Sequence, residues 1–257
     1  MARMQDSGSP HGQKDLPPWR TCLDFESPAA DHYADHVMTD LFGLVAGESR
    51  RVLELGCTGG AFGAELKKRF PGATVVGIDA ARAAVERAAA RLDRVVHARL
   101  DGLDFAAAGF APGEFDTVIA VDILEHLVNP WDLLVRLKPF LRADGQFLAS
   151  IPNVRNLTVV SRLLLGGTFE YAERGLLDVT HLRFFTLEGM RRMFGECGYR
   201  VEETRPLLLA ALRQLHAGFS GQPSVTVRVG RMTVENVTSQ EVTEFCASQF
   251  LLRCRPA

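Results

Sequence analysis

Four glycines fall within eight residues, at Gly56, Gly59, Gly60 and Gly63, directly behind an apolar run that closes on an acid. The stretch, residues 51–63, reads RVLELGCTGGAFG. A short buried strand that stops at such a loop lets the backbone come close to a ligand. The helix expected over residues 61–70 then points its free N–H groups at whatever occupies the loop. A second strand, ATVVGID, ends in another acid, Asp79. Strand, glycine turn, helix, strand and acid form the front half of a nucleotide-binding α/β unit.

At these residues the chain resembles a known family. VLELGCTGG with GID downstream is similar to motif I and the ribose acid of class I S-adenosylmethionine-dependent methyltransferases. The rival is the NAD fingerprint G-x-G-x-x-G/A; started at Gly56, it puts Thr58 where the second glycine belongs and Ala61 at the third. That fingerprint gives no role to an acid two residues before the first glycine. In the methyltransferases an acid there, here Glu54, faces the ammonium end of the cofactor. Thr58 also departs from the family's commonest G-x-G-x-G form.

The downstream chain keeps the family order. VVHARLD reads as a third strand closing on Asp101, which falls where the family bonds the adenine amino group; taken alone, it is equally a loop aspartate before Gly102. FDTVIAVDILEHL, residues 115–127, gives a central parallel strand and resembles the family's LEHL segment, with Pro130 starting the next helix. Pro139 should bend or end that helix early. Asp144-Gly145 turns the chain into a fifth strand, GQFLASIPN. The DVTHLRFFT run is similar to a signature in bacterial methyltransferases of glycan, lipid and natural-product biosynthesis. The resemblance implies a Rossmann-like, seven-stranded, mostly parallel sheet with helices on both faces and an antiparallel last strand, ASQFLLRCRP.

Residues 1–30 are polar and turn-rich and read as a disordered tail, followed by a single domain over 31–257. A helix from Asp31, with Tyr33, Val37, Leu41 and Leu44 at helical spacing, precedes the first strand. Tyr33 either touches cofactor or acceptor or packs its helix on the sheet. Residues 153–185 exceed an ordinary loop and read as an inserted lid over the active site. Beyond the sixth strand, residues 207–246 form a C-terminal extension: an apolar helical stretch over 207–221, then an alternating segment near 225–234, the first candidate for a homodimer edge.

A net charge of −2 over 257 residues gives no electrostatic footprint for nucleic acid, and no N/D-P-P-Y segment follows the fourth strand. Five scattered cysteines form no CxxC pair and no zinc-spaced cluster, so no metal is expected and reduced thiols in a cytoplasmic protein are. No apolar run reaches membrane-spanning length.

The resemblance therefore implies a methyltransferase that uses S-adenosyl-L-methionine and releases S-adenosyl-L-homocysteine. Its acceptor is a small molecule or glycan, with oxygen the favoured target, in sugar or natural-product biosynthesis. Two other classes stay open: an NAD(P)-dependent oxidoreductase and a non-catalytic cofactor-binding protein. The cofactor residues carried over are Glu54, Gly56, Cys57, Thr58, Gly60, Asp79, Ala80, Asp101, Gly102 and Val121. His126, at the carboxyl end of the fourth strand, and His181, in the lid, are the candidate bases, since histidine titrates near neutral pH. Each has a structural alternative: His126 capping its turn, His181 clasped by Asp178, Thr180 and Arg183. Tyr33, Asn153, Tyr171 and Arg183 are the candidate acceptor contacts.

Overall fold

The computed structural model describes residues 37–219 and 221–257. The N-terminal tail, Tyr33 and the start of the leading helix lie outside the described residues. What is seen of that helix is a 3-10 turn, Thr39–Leu44, with Leu41 and Leu44 buried.

The parallel part of the sheet is built from β1 (Arg51–Leu55), β2 (Thr74–Asp79), β3 (Arg94–His97), β4 (Phe115–Val121) and β5 (Leu141–Pro152). β6 (Tyr199–Leu208) and the terminal β9 (Ala247–Pro256) complete seven strands in the order β3-β2-β1-β4-β5-β9-β6. β9 runs antiparallel to both β5 and β6, as expected. Alternation along each strand feeds two cores. Val52 and Ile119 pack on one face with Phe62, Leu66 and Ala88, while Leu53, Leu55 and Val118 pack on the other with Leu133, Leu137 and Met190. Burial on both faces is why β1 and β4 read as unbroken apolar runs rather than alternating ones.

The first of these faces is covered by α1 (Ala61–Arg69) and α2 (Arg82–Ala88), the second by α3 (Pro130–Leu137) and α5 (Leu187–Glu196). The short α4 (Leu157–Ser161) begins the lid. Asn129 accepts from the Asp132 N–H to cap α3, Pro130 takes its first position, and the helix ends at Leu137, before a 3-10 turn holding Pro139. Residues 81–94, ARAAVERAAARLDR, are alanine-rich with no internal glycine or proline, yet α2 is short. It stops at Ala88, and Asp93 then ties the chain to the sheet, its carboxylate accepting the Val75 N–H at 2.8 Å. Gly77 in β2 has no room for a side chain, as a Cβ there would stand 2.6 Å from Cys57 Sγ.

The helical reading of residues 207–221 is corrected. Leu207 and Leu208 finish β6 by pairing with Gln249 and Ala247, and the helix α6 covers only Arg213–Phe219. A hairpin of β7 (Ser224–Val229) and β8 (Met232–Thr238) follows, then α7 (Ser239–Cys246) with a Thr238–Glu241 capping box. Val227, Val237, Val242 and Phe245 give this group its own small core, against which Leu157 of the lid also packs. No helix among the described residues is long and apolar enough to cross a membrane.

Candidate functional site

The carboxyl ends of β1, β2 and β4 open into one cavity of about 630 Å³, lined on its far side by Glu173, Gly175, Leu176 and residues 178–181 of the lid. That volume lies within the range of small-molecule and cofactor sites. Among the described residues, seven carboxyl side chains and one guanidinium, that of Arg99, line it. Such a wall favours a cationic ligand.

At one end of the cavity the glycine loop leaves β1. Gly56 (φ 64°) and Thr58 (φ 46°) both take the left-handed conformation, which is costly for a β-branched residue. Asp79 holds Thr58 there. Its Oδ2 accepts the Thr58 N–H at 2.8 Å and its Oδ1 the Ala81 N–H at 2.9 Å. One carboxylate thus ties the loop to the end of β2. Glu54 is buried at the base of the loop, where the Gly63 N–H, one of the free donors in the first turn of α1, partly offsets the effect of burial on its carboxyl. Its Oε2 has no hydrogen-bond partner among the described residues, and burial raises its pKa to about 8.

At the other end stand Glu125, His126 and His181. His126 donates from Nδ1 to Thr180, at 3.2 Å from the carbonyl and 3.0 Å from Oγ1. Thr180 Oγ1 in turn donates to Asp178 Oδ1 at 2.6 Å. The Nδ1–H of His181 donates to the Leu176 carbonyl at 3.3 Å. Both rings are therefore fixed in the tautomer that leaves Nε2 with a lone pair. Burial lowers the pKa of both below the ordinary histidine value, so both are neutral at pH 7. The rings meet edge to face with centroids 4.8 Å apart. The Glu125 carbonyl accepts the Leu182 and Arg183 N–H groups, pinning the lid to this turn. Its carboxyl is fully buried, and burial, with the Asp122 carboxylate beside it, pushes its pKa well above the usual range.

The structure brings Glu54, Gly56, Thr58, Asp79, Ala80, Asp101, Val121, His126 and His181 into the cavity wall. Six expected residues are elsewhere. Cys57 turns under the loop against Gly77, and Gly60 packs on Ala88 and Leu92. Gly102 lies one residue beyond the wall at Asp101. Asn153 is wholly buried, its amide donating to the Glu244 and Ala247 carbonyls, so it anchors the lid's root rather than an acceptor. Tyr171 lies on the outer side of the lid with Phe169 and Phe184. Arg183 also faces outward and donates to the Val128 carbonyl. The clasp expected around His181 forms instead around His126, through Thr180.

Sequence reasoning missed Asp122, Glu125, Ser248 and Gln249, all of which line the cavity. Asp122 adopts φ 51°, with Oδ1 accepting from Ser150 Oγ at 2.6 Å and Gln249 Nε2 at 2.9 Å. Gln249 comes from the start of β9, 127 residues away along the chain, and no local pattern marks it.

Residues 30–204 match the family model described as "Methyltransferase domain". A relative named ubiquinone biosynthesis O-methyltransferase, from Dinoroseobacter shibae, is 32% identical over 173 residues, covering 64% of this chain and 65% of the relative. The mitochondrial protein of the same name from Schizosaccharomyces pombe is 27% identical over 64% of this chain and 60% of its own length. The matched segment thus spans less than two thirds of these relatives. Among solved structures, an S-adenosylmethionine-dependent methyltransferase from Mesorhizobium loti superimposes with a TM-score of 0.54 over 88% of this chain and 99% of that one, at 17% identity. These comparisons point to S-adenosylmethionine.

Proposed function

The chain belongs to the methyltransferase-domain family, and from that premise we propose that it transfers a methyl group from S-adenosylmethionine to a hydroxyl oxygen of a small molecule. The observation that carries this reading is the shared cavity. The glycine loop with its acids at one end, and Glu125, His126 and His181 at the other, open into a single space.

The residues present fit the cofactor. Glu54 offers a buried oxygen without a partner, and the carboxyl-rich wall suits a ligand bearing both an ammonium and a sulfonium. Glu54 would hold the ammonium, Asp79 the ribose, and Asp101 the adenine amino group. When bound, the cofactor supplies an activated methyl group for in-line displacement. This chain's own residues place the acceptor, exclude water by means of the lid, and receive the hydroxyl proton. His126 and His181 both line the cavity with Nδ1 bonded and Nε2 left unprotonated, and they are our candidates for that last task. The names of the relatives support an oxygen acceptor of quinone-precursor type over a sugar.

Glu54 makes this reading measurable without knowing the acceptor. With its pKa near 8, the unliganded carboxyl is mostly protonated at pH 7. Such a raised pKa favours the fold below the ordinary carboxylate range, and that contribution is lost as pH rises through about 8. An ammonium at Glu54 favours the ionised form, so binding must expel the proton. Calorimetric titration with S-adenosylhomocysteine at pH 7, in buffers of different ionisation enthalpy, should show release of close to one proton. Glu54→Gln should show none. Equal proton release from both proteins would remove Glu54 from the ammonium site.

The test of the activity itself is transfer of labelled methyl from S-adenosylmethionine to a panel of phenolic, catechol, sugar and amine acceptors. Label on a phenol or catechol oxygen is the expected result. Label on nitrogen alone would overturn the oxygen assignment. Binding of S-adenosylhomocysteine with no transfer to any class would favour a cofactor-binding protein without turnover.

A further inference from the structure

We propose that Gln249 is a specificity-determining residue: its side-chain carbonyl accepts a hydrogen bond from a donor on the acceptor other than the hydroxyl that is methylated. The proposal rests on the methyltransferase reading above and adds to it a residue that selects among acceptors.

Gln249 stands where the terminal strand leaves the core. It lines the cavity and pairs with Pro152 of β5 and Leu207 of β6. The next three residues, Phe250, Leu251 and Leu252, are buried, whereas Gln249 is half-buried. Its side chain has two groups to satisfy, an amide donor and a carbonyl acceptor. The donor is settled. Nε2 donates to Asp122 Oδ1 at 2.9 Å, and the same oxygen accepts from Ser150 Oγ at 2.6 Å. That oxygen accepts and does not donate, so turning the amide over would set two oxygens against each other. The Nε2 bond therefore fixes the carbonyl end as well.

Oε1 has no hydrogen-bond partner among the described residues, and it is not sealed in protein as Glu54 Oε2 and both Glu125 oxygens are. It is an accessible acceptor in a residue of the cavity wall. Ser248, the neighbouring wall residue from β9, has its hydroxyl committed to the Leu207 carbonyl at 3.0 Å. The position belongs to the acceptor's end of the cavity. The Asp122 charge acts on Glu125 and on His126, whereas the carboxylate that acts on Glu54 is Asp79. Gln249 is thus tied to the turn that carries a candidate base, away from the glycine loop. A carbonyl oxygen pairs with a hydroxyl or an N–H and leaves an ether or a bare ring position unmatched. Sites built to bond a substrate hydroxyl reject the analogue that lacks it.

The test is transfer of labelled methyl from S-adenosylmethionine to catechol and to phenol, the same ring with and without a second hydroxyl. Wild type should prefer catechol in kcat/KM by about ten-fold or more, because phenol leaves a half-buried acceptor unpaired. Gln249→Met keeps the side-chain length and removes the amide. It should cut the preference at least about five-fold, by losing rate on catechol and not on phenol. Comparing the ratio between proteins cancels the different intrinsic acidity of the two rings. Gln249→Ala should do the same, with circular dichroism and S-adenosylhomocysteine affinity retained in both as proof of fold. Ser150→Ala removes the other donor to Asp122 and leaves the Gln249 oxygen in place, so it should keep the wild-type ratio. A preference that survives both Gln249 substitutions overturns the assignment. An equal shift in Ser150→Ala also overturns it, since the effect would then run through Asp122. Label on neither ring would take down the phenolic methyltransferase reading and the role of Gln249 with it; label on both at an unchanged ratio removes Gln249 alone.

Discussion

Asp79→Ala should weaken S-adenosylhomocysteine binding by about 100-fold or more. Two contributions add. The carboxylate would accept hydrogen bonds from the ribose, and charge-assisted bonds of this kind are worth about 1.5–3 kcal/mol each. It also holds the glycine loop, through the Thr58 and Ala81 N–H groups. Without it, Thr58 loses the side-chain tie that helps keep it at φ 46°, a costly conformation for a β-branched residue, while the Cys57 and Gly60 backbone bonds still hold the loop. About 1.4 kcal/mol is a factor of ten, so even two weak bonds give about 100-fold. Thr58→Gly separates the two contributions, because glycine takes the left-handed conformation at no steric cost. In the Asp79→Ala background, Thr58→Gly should recover a minor part of the affinity. Full recovery would mean that Asp79 serves only the loop. Unchanged binding in the single variant would show that the ribose lies elsewhere.

The position of Asp79 was legible before any coordinates, as were Glu54 and Asp101, for one reason. Parallel strands buried on both faces leave an uninterrupted apolar run, and an acid where that run ends stands at the sheet's carboxyl edge. Residues whose place depends on tertiary packing carry no such mark. Asn153 looks like a polar group at a strand end, but β9 arrives antiparallel beside β5 and puts the Ala247 carbonyl within reach of its amide. Tyr171 and Arg183 belong to a lid whose direction is set by two N–H groups bonded to the Glu125 carbonyl. That anchor aims His181 inward and leaves Arg183 outward, and nothing in DVTHLRFFT records which. Glu125 itself was read as part of a motif, and nothing in LEHL records that its carboxyl is buried without a hydrogen-bond partner among the described residues.

His126→Ala and His181→Ala should each lower kcat by about 100-fold or more while leaving S-adenosylhomocysteine affinity unchanged. General base catalysis contributes about 10²–10⁴-fold. Affinity should hold because both rings lie at the end of the cavity remote from the glycine loop. The pH dependence carries a sign. Burial depresses both pKa values, so the imidazoles stay neutral and competent down to a pH below the ordinary histidine value, and the acid limb of kcat should fall below about 6.5. The same depression favours the fold above the ordinary histidine pKa, and that stability is lost as pH drops toward the folded-state values. Thr180→Val offers a milder check. It removes the hydroxyl that joins His126 to Asp178 but keeps the Thr180 carbonyl as an acceptor for Nδ1. The rate should then fall less than in His126→Ala. A rate loss confined to KM, with kcat intact, would place the histidines in acceptor binding and out of the proton path.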